Sequence, residues 1–215
     1  MKVGIIGSGI VGQVLANAFN AEGHQVTLGT RNISKEELVA FKNNHPTIAI
    51  NNFADTAKNA DLIVLAVAGS VVTEAIQLAG HEHFAHKIVI DATNPIAAAP
   101  PENGVLKFFT DLNESLMEKI QKEVPDAQVV KAFSCVGNAF MYQPSFPGGT
   151  PTMFIAGNNT DAKKIVTDIL ISFGWEVEDM GLMEAARAIE PLCILWCLPG
   201  FTKNQWTHAF KLLKL

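Results

Sequence analysis

The sequence has 215 residues, of which 48% are hydrophobic and 17% are charged, and its formal net charge at pH 7 is −5. This balance predicts one folded domain over residues 1–215 with a sizeable core, and it excludes an intrinsically disordered chain. The 16 Lys and Arg residues form no dense basic cluster, which excludes the electrostatic footprint of a nucleic-acid-binding protein.

Three further features predict the surroundings of the protein. The N-terminus enters a strand-like run after a single Lys, without the apolar segment and cleavage site of a secretory signal, so we expect a cytoplasmic protein. The apolar stretch 191–202 is shorter than the ~20 residues that cross a bilayer. It predicts a buried helix or a subunit contact, and we expect a homodimer. Three cysteines are too few for a disulfide framework, so reduced thiols are predicted at Cys135, Cys193 and Cys197.

Short β-branched runs alternate with longer amphipathic segments along the whole chain. The runs predicted as strands are 3–7, 25–29, 62–68, 87–92, 127–133, 152–157 and 175–181, with a weaker candidate at 47–50. The segments predicted as helices are 10–22, 34–43, 70–79, 111–123 and 160–173. This alternation predicts a Rossmann-type α/β fold, in which a doubly wound and mostly parallel sheet is covered by helices on both faces.

Two helical segments have recognisable end signals. Ser34 and Glu37 have the spacing of a capping box, which predicts the start of the second helix. The segment 184–215 predicts a short C-terminal helical extension that is interrupted near Pro199. We therefore expect one domain with this extension rather than two domains.

The first predicted strand is followed at once by a G-x-G-x-x-G motif formed by Gly7, Gly9 and Gly12. Between a strand and a helix this pattern is typical of dinucleotide binding. Gly7 permits the tight turn, Gly9 lets the backbone approach a pyrophosphate, and Gly12 allows close packing of helix on strand. The free N–H groups of the following helix then point at the phosphates.

The end of the second predicted strand lacks the acidic residue that binds the adenosine ribose in many dinucleotide-binding proteins. In its place the sequence reads Thr30, Arg31 and Asn32, with Lys35 close behind. Two charge-assisted contacts from such cations favour a 2′-phosphorylated cofactor by about 100-fold or more. The sequence therefore predicts NADP(H). The alternative is that Arg31 is a solvated loop residue and that either dinucleotide binds.

Motifs spread over most of the chain resemble those of NADPH:coenzyme F420 oxidoreductases and of the related cytosolic domain of six-transmembrane metalloreductases. These motifs read MKVGIIGSGIVG, LGTR, ATNP, VVKAF and GLMEAARAIEPL. The resemblance implies a compact NADP-binding domain, often dimeric, that transfers a hydride between NADPH and a flat, flavin-like acceptor. The loop after VVKAF reads SCVG where the deazaflavin enzymes carry a His-Thr-Ile-Pro-like run, so both coenzyme F420 and a flavin stay open as the acceptor.

The same resemblance implies three sets of site residues. The cofactor phosphates are expected at Gly7, Ser8, Gly9, Ile10, Val11 and Gly12, with the 2′-phosphate at Thr30, Arg31 and Lys35, beside Asn32. The nicotinamide is expected at Ala66, Val67, Ala68, Asn94 and Pro95. The acceptor is expected at Phe133, Ser134, Cys135, Val136 and Gly137.

The sequence shows no acid–base pair suited to protonating a carbonyl product, so we predict no catalytic side chain. Hydride transfer between stacked rings depends mainly on alignment, which fits a flavin-like acceptor. Two other functions remain open, a reductase of a small imine or ketone and a non-catalytic module that senses NADP(H). Arg187 and Glu190 lie one turn apart and predict a helical ion pair, with Arg187 reaching a ligand as the alternative.

The remaining reactive side chains predict packing rather than chemistry. Cys135 has no neighbouring cation in the sequence, so packing is favoured over the alternative of redox chemistry. Cys193 and Cys197 share one helix face among apolar residues and predict a core or interface role. The histidines of segment 81–86 predict a polar loop, and no metal site is expected.

Overall fold

The computed structural model describes all 215 residues and contains one eight-stranded sheet. The strands are β1 (Lys2–Ile6), β2 (Gln25–Gly29), β3 (Ala49–Asn51), β4 (Leu62–Leu65), β5 (Ile88–Asp91), β6 (Gln128–Lys131), β7 (Thr152–Gly157) and β8 (Glu176–Asp179). Their order in the sheet is β3-β2-β1-β4-β5-β6-β7-β8, and all neighbours are parallel except β6 and β7. The predicted Rossmann-type, mostly parallel sheet is confirmed.

Helices cover both faces of this sheet. They are α1 (Ile10–Ala21), α2 (Glu36–Asn44), α3 (Phe53–Asn59), α4 (Val72–Ala79), α5 (Leu116–Glu123), α6 (Thr160–Ser172), α7 (Ala186–Ile189) and α8 (Leu192–Lys203). One apolar cluster joins α1, α2 and α6 to the sheet, and a second joins α3, α4 and α5 to it. Adjacent strand residues such as Ile63 and Val64 belong to different clusters, because successive side chains of a strand point to opposite faces. No helix combines the length and the apolar character that a membrane span requires.

Helix α5 begins at Leu116 rather than at residue 111, and β4 ends at Leu65 rather than at residue 68. Two larger differences from the sequence prediction concern α3 and β7. Helix α3 was not predicted, because its seven residues are too few for a helical apolar period to be visible. Asn52 starts it by accepting a hydrogen bond from the Asp55 N–H at 2.8 Å. Strand β7 is antiparallel to β6, with Val130 opposite Gly157. An apolar strand pattern carries no direction, so the sequence alone did not reveal this reversal.

The predicted capping box at Ser34 and Glu37 is wrong. Helix α2 begins at Glu36, and its N-cap Lys35 makes no side-chain capping bond. The backbone N–H of Ser34 instead donates to the Asn32 side chain at 2.9 Å, which ties residue 34 into a turn ahead of the helix. A complete capping box occurs at the start of α5, outside the segment where we predicted one.

The predicted interruption at Pro199 is also wrong. Pro199 lies inside α8, and the helical segment is broken earlier, between α7 and α8 at Pro191. Buried Cys193, Trp196 and Gly200 share one side of α8, and their packing keeps the helix continuous despite the missing N–H of Pro199. Residues 204–215 have no regular structure and follow the edge of the sheet next to β7 and β8.

Candidate functional site

The glycine-rich loop forms a backbone cradle at the end of β1. Gly7 has a φ of +126°, a conformation that residues with a Cβ rarely adopt. A Cβ on Gly12 would lie 1.8 Å from the Gly7 carbonyl oxygen, so only glycine permits this approach. A Cβ on Gly9 would meet no protein atom within 4 Å, so the space above Gly9 is open to a ligand. No acidic residue occupies the first turn of α1, which leaves its N–H groups free for an anion.

A cavity of about 390 Å³ opens where β1, β2 and β4 end. Ten predicted cofactor-binding residues line it, namely Gly7, Ser8, Gly9, Thr30, Arg31, Asn32, Lys35, Ala66, Val67 and Ala68. The sequence analysis missed four further lining residues, Phe53, Val71, Glu74 and Ala75. The last three belong to the turn and helix after β4, which carry no motif. Of the remaining loop residues, Ile10 is exposed, Val11 packs against the core and Gly12 is buried.

The end of β2 is held in one conformation by Thr30. This residue is buried, and its hydroxyl accepts a hydrogen bond from the Ser8 hydroxyl at 3.0 Å and contacts the Asn32 backbone N–H at 3.2 Å. The adjoining Arg31 side chain is 59% exposed, and its Nη1 lies 3.5 Å from Oε1 of Glu74. The cavity thus combines the glycine loop with two cations, Arg31 and Lys35, and no acidic residue follows β2. This combination fits a 2′-phosphorylated dinucleotide.

Asn94 and Pro95 do not line the cavity, but Asn94 lies against the turn that follows β4. A Cβ on Gly69 would lie 2.2 Å from the Asn94 carbonyl oxygen, so the turn after β4 packs directly on this segment. The Asn94 side-chain oxygen Oδ1 is buried and has no hydrogen-bond partner. An unpaired buried acceptor is costly, and its burial keeps this atom out of reach of a ligand in the cavity.

The predicted acceptor residues lie inside the protein rather than in the cavity. Phe133, Ser134, Cys135 and Val136 are all buried, and only Gly137 is partly exposed. A Cβ on Gly137 would lie 2.2 Å from the ring of Trp196, which covers this loop. Phe133 has a left-handed φ of +65°, and the Ser134 hydroxyl has no partner, so strain and an unpaired polar atom coincide here. A contact of these residues with an acceptor stays a prediction.

Cys135 packs against β7 and makes no contact with a charged group. Its Sγ lies 3.7 Å from the Thr152 carbonyl oxygen and 3.8 Å from Sδ of Met153. Burial raises the pKa of this thiol from 9.0 to about 11, so it stays protonated at neutral pH. This environment favours the packing interpretation over redox chemistry.

A buried charge network lies below the predicted nicotinamide and acceptor segments. The fully buried Lys131 ammonium is 3.0 Å from Asp91 and 3.1 Å from Glu190, and it donates to the Thr93 carbonyl oxygen. Burial by itself lowers the pKa of Lys131, but the two carboxylates outweigh this and hold the pKa above its ordinary value. The sequence analysis missed this network, although a lysine and an aspartate at the ends of apolar strands were visible in VVKAF and VIDA.

Arg187 and Glu190 do not pair with each other. Glu190 accepts hydrogen bonds from the backbone N–H groups of Leu116 and Met117 at 2.9 and 3.0 Å, at the start of α5. Arg187 binds Glu118 through two hydrogen bonds. Hydrogen bonds from Arg187 lower the pKa of Glu118 from 4.5 to about 2, against the effect of burial. Both side chains therefore fasten α5 to α7, and the predicted helical pair is wrong.

The other reactive side chains do not form a site. His81 lies 3.5 Å from Glu123 and His83 lies 3.8 Å from Glu82, and no group of three or more ligand side chains is arranged for a metal ion. All three cysteines are free. A hydrogen bond between the thiols of Cys193 and Cys197 raises the pKa of the first and lowers that of the second.

Known proteins resemble both the sequence and the structure. A family model described as coenzyme F420-dependent NADP oxidoreductase matches residues 2–95. A solved structure from Arthrobacter sp. FB24, described as an F420-dependent NADP-reductase, is 31% identical in sequence to this chain. The two structures cover 100% of each other with a TM-score of 0.93. A hypothetical protein from Sinorhizobium meliloti shares the fold at 24% identity and a TM-score of 0.71, over 100% of this chain and 95% of that one.

A curated relative, metalloreductase STEAP3 from Rattus norvegicus, is 30% identical over 203 residues. The match covers 92% of this chain but spans only 38% of the length of that relative. Three findings agree with one another. They are the full-length similarity to the Arthrobacter protein, the family match over residues 2–95, and the glycine loop with cations at the end of β2. The chain therefore belongs to the coenzyme F420-dependent NADP oxidoreductase family, a family of NADP-dependent oxidoreductases.

Proposed function

We propose that this protein transfers a hydride directly between NADP(H) and a deazaflavin or flavin-like acceptor, with coenzyme F420 as the first candidate. The observation that carries the cofactor assignment is the end of β2, where Thr30, Arg31 and Lys35 border the same cavity as the glycine loop and no acid follows the strand. The family match supports the acceptor class.

Each part of the cavity has one role in this proposal. The backbone of the loop from Gly7 to Gly12 binds the pyrophosphate, and the free N–H groups of α1 add partial positive charge. Arg31 and Lys35 bind the 2′-phosphate, while Thr30 holds this corner in place through Ser8. The affinity of the site is thus concentrated at the adenosine end, away from the reacting ring.

The nicotinamide end is bordered by groups that position a ring without exchanging protons. Ala66, Val67 and Ala68 offer backbone and apolar surface, and Asn94 packs against the turn that carries them. All ionisable residues that line the cavity, Arg31, Lys35 and Glu74, belong to its adenosine end. When bound, the nicotinamide supplies the hydride, and alignment by the protein provides most of the rate.

In this proposal the acceptor stacks on the nicotinamide, next to the loop from Phe133 to Gly137. Phe133, Ser134, Cys135 and Val136 are buried and Trp196 covers Gly137, so this loop shapes the acceptor site without exposing its own side chains. The buried network around Lys131 supports this loop from below. A rigid floor of this type suits a flat ring system, which is bound mainly through its face.

We further propose that residues 1–215 act as one NADP-binding domain and that two copies form a homodimer. The support for a dimer is exposed apolar surface on and near α8, at Leu195, Phe201 and Leu182. Light scattering at micromolar concentration is expected to give the mass of a dimer, and replacement of Leu195 by Lys is expected to shift it to a monomer. A wild-type monomer would remove this part of the proposal.

The function is tested by following anaerobic NADPH oxidation with coenzyme F420, FMN and FAD offered side by side. We expect fast reduction of the deazaflavin, slower or no reduction of the two flavins, and weak activity with NADH. A Gly9→Ala variant serves as the control, because its new methyl group has room in the protein but occupies the space assigned to phosphate. Confirmed NADPH binding with no turnover on any acceptor would contradict the proposed reaction.

A further inference from the structure

An exposed ion pair crosses the cavity at the adenosine end. Arg31 follows β2, whereas Glu74 lies in the first turn of α4, yet Nη1 and Oε1 of these residues are 3.5 Å apart. Both residues line the cavity together with the glycine loop. The cation that the proposed function assigns to the 2′-phosphate is therefore already facing a carboxylate of the protein itself.

We propose that Glu74 is a specificity-determining residue that competes with the 2′-phosphate of the cofactor for Arg31. This inference rests on the proposed function, because it takes Arg31 to be a phosphate ligand. The two side chains are 59% and 56% exposed, so neither is held by packing, and exposed ion pairs of this kind are weak. A phosphate presents several oxygens to a planar guanidinium, so it displaces a single carboxylate contact.

Competition between Glu74 and the cofactor for Arg31 affects NADPH but not NADH. NADPH must separate Arg31 from Glu74, and the carboxylate then remains close to a phosphate with the same sign of charge. NADH has no phosphate at this position and leaves the pair in place. Glu74 therefore lowers the affinity for NADP(H) selectively and limits the preference for it over NAD(H).

The test measures binding rather than turnover. Dissociation constants of NADPH, NADH and 2′,5′-ADP are determined by calorimetry at one fixed ionic strength for the wild type and for Glu74→Gln. Removing one nearby exposed charge is expected to tighten NADPH and 2′,5′-ADP by about 3- to 10-fold and to leave NADH within about twofold. Asp168→Asn is the matched control, because Asp168 forms an exposed ion pair with Lys164 outside the cavity.

The role of Arg31 is isolated by making Glu74→Gln in a protein that already carries Arg31→Ala. When Arg31→Ala removes the contested cation, the gain from Glu74→Gln is expected to shrink. An unchanged NADPH constant in Glu74→Gln would overturn the inference. Equal weakening of NADPH and NADH would also overturn it, because Glu74 would then bind the adenosine that both share. If the wild type binds NADPH no more tightly than NADH, the cofactor assignment fails too, whereas a wild-type preference with an unresponsive Glu74→Gln overturns this inference alone.

Discussion

Two charged clusters lie where the parallel strands end, and they differ in nearly every physical respect. Arg31 and Glu74 line the cavity, and each side chain is more than half exposed. Nη1 of Arg31 lies 3.5 Å from Oε1 of Glu74. The network of Lys131, Asp91 and Glu190 is buried, with separations of 3.0 and 3.1 Å, and does not line that cavity. Charges in water exchange partners at little cost, whereas buried charges must keep theirs.

This difference indicates that the exposed pair contributes to ligand binding and that the buried network contributes to the stability of the fold. The exposed pair leaves Arg31 available to a ligand, so substitutions there change affinity and leave the fold intact. The buried network joins β5 and β6 to the start of α5, so substitutions there change stability first. Asp91 and Lys131 also lie directly ahead of the predicted nicotinamide and acceptor segments, so the network positions both.

The largest effect is expected from Lys131→Met, which removes the central charge and leaves two buried carboxylates without a counter-ion. Asp91 and Glu190 keep hydrogen bonds from Thr93, Leu116 and Met117 but lose their counter-ion. Loss of one member of a buried ion pair costs about 3–5 kcal/mol, and we expect this decrease in the free energy of unfolding measured with urea. Lys164→Met removes a lysine from an exposed pair with Asp168 and is expected to change stability by less than about 0.5 kcal/mol. Equal stability of the two variants would contradict the comparison.

Arg31→Ala is expected to have the next largest effect. It is expected to change cofactor binding and to leave the stability of the protein unchanged. Loss of a charge-assisted contact with the 2′-phosphate is expected to weaken NADPH by about 10- to 100-fold, while NADH stays unchanged. The midpoint of thermal unfolding is expected to match the wild type, because the side chain is exposed. An unchanged ratio of the NADPH and NADH constants would show that Arg31 is only a solvated loop residue.

A smaller, pH-dependent effect is expected at Glu118, which Arg187 binds between α5 and α7. Its pKa of about 2 in the folded protein is below the ordinary 4.5, so the stability that it adds is complete above about pH 4.5 and disappears as the pH falls towards 2. Glu118→Gln is expected to lower the free energy of unfolding by about 1–2 kcal/mol at pH 7, because Arg187 is partly exposed. The difference from the wild type is expected to narrow in acid, and a constant difference down to pH 2 would contradict this origin.

The same comparison explains how much was predictable. Gly7, Gly12, Arg31 and Lys35 belong to one continuous strand–helix–strand unit, so local patterns predicted this unit and its cofactor loop. Together with the family resemblance they gave ten of the residues lining the cavity. The buried network joins residues 40 and more positions apart, and no local pattern pairs them. The reversed β7, the continuous helix at Pro199 and the cover of Trp196 over Gly137 likewise depend on packing between distant segments.

The central claim, direct hydride transfer to a deazaflavin, is tested most directly by the fate of an isotope. NADPH that carries deuterium at the transferred position of C4 is oxidised by the protein with coenzyme F420 in ordinary water, and the reduced acceptor is analysed by mass spectrometry and NMR. We predict one deuterium on C5 of the deazaflavin, where it does not exchange with water. Reduced acceptor that carries only hydrogen from the solvent, or no reduction at all, would contradict the account.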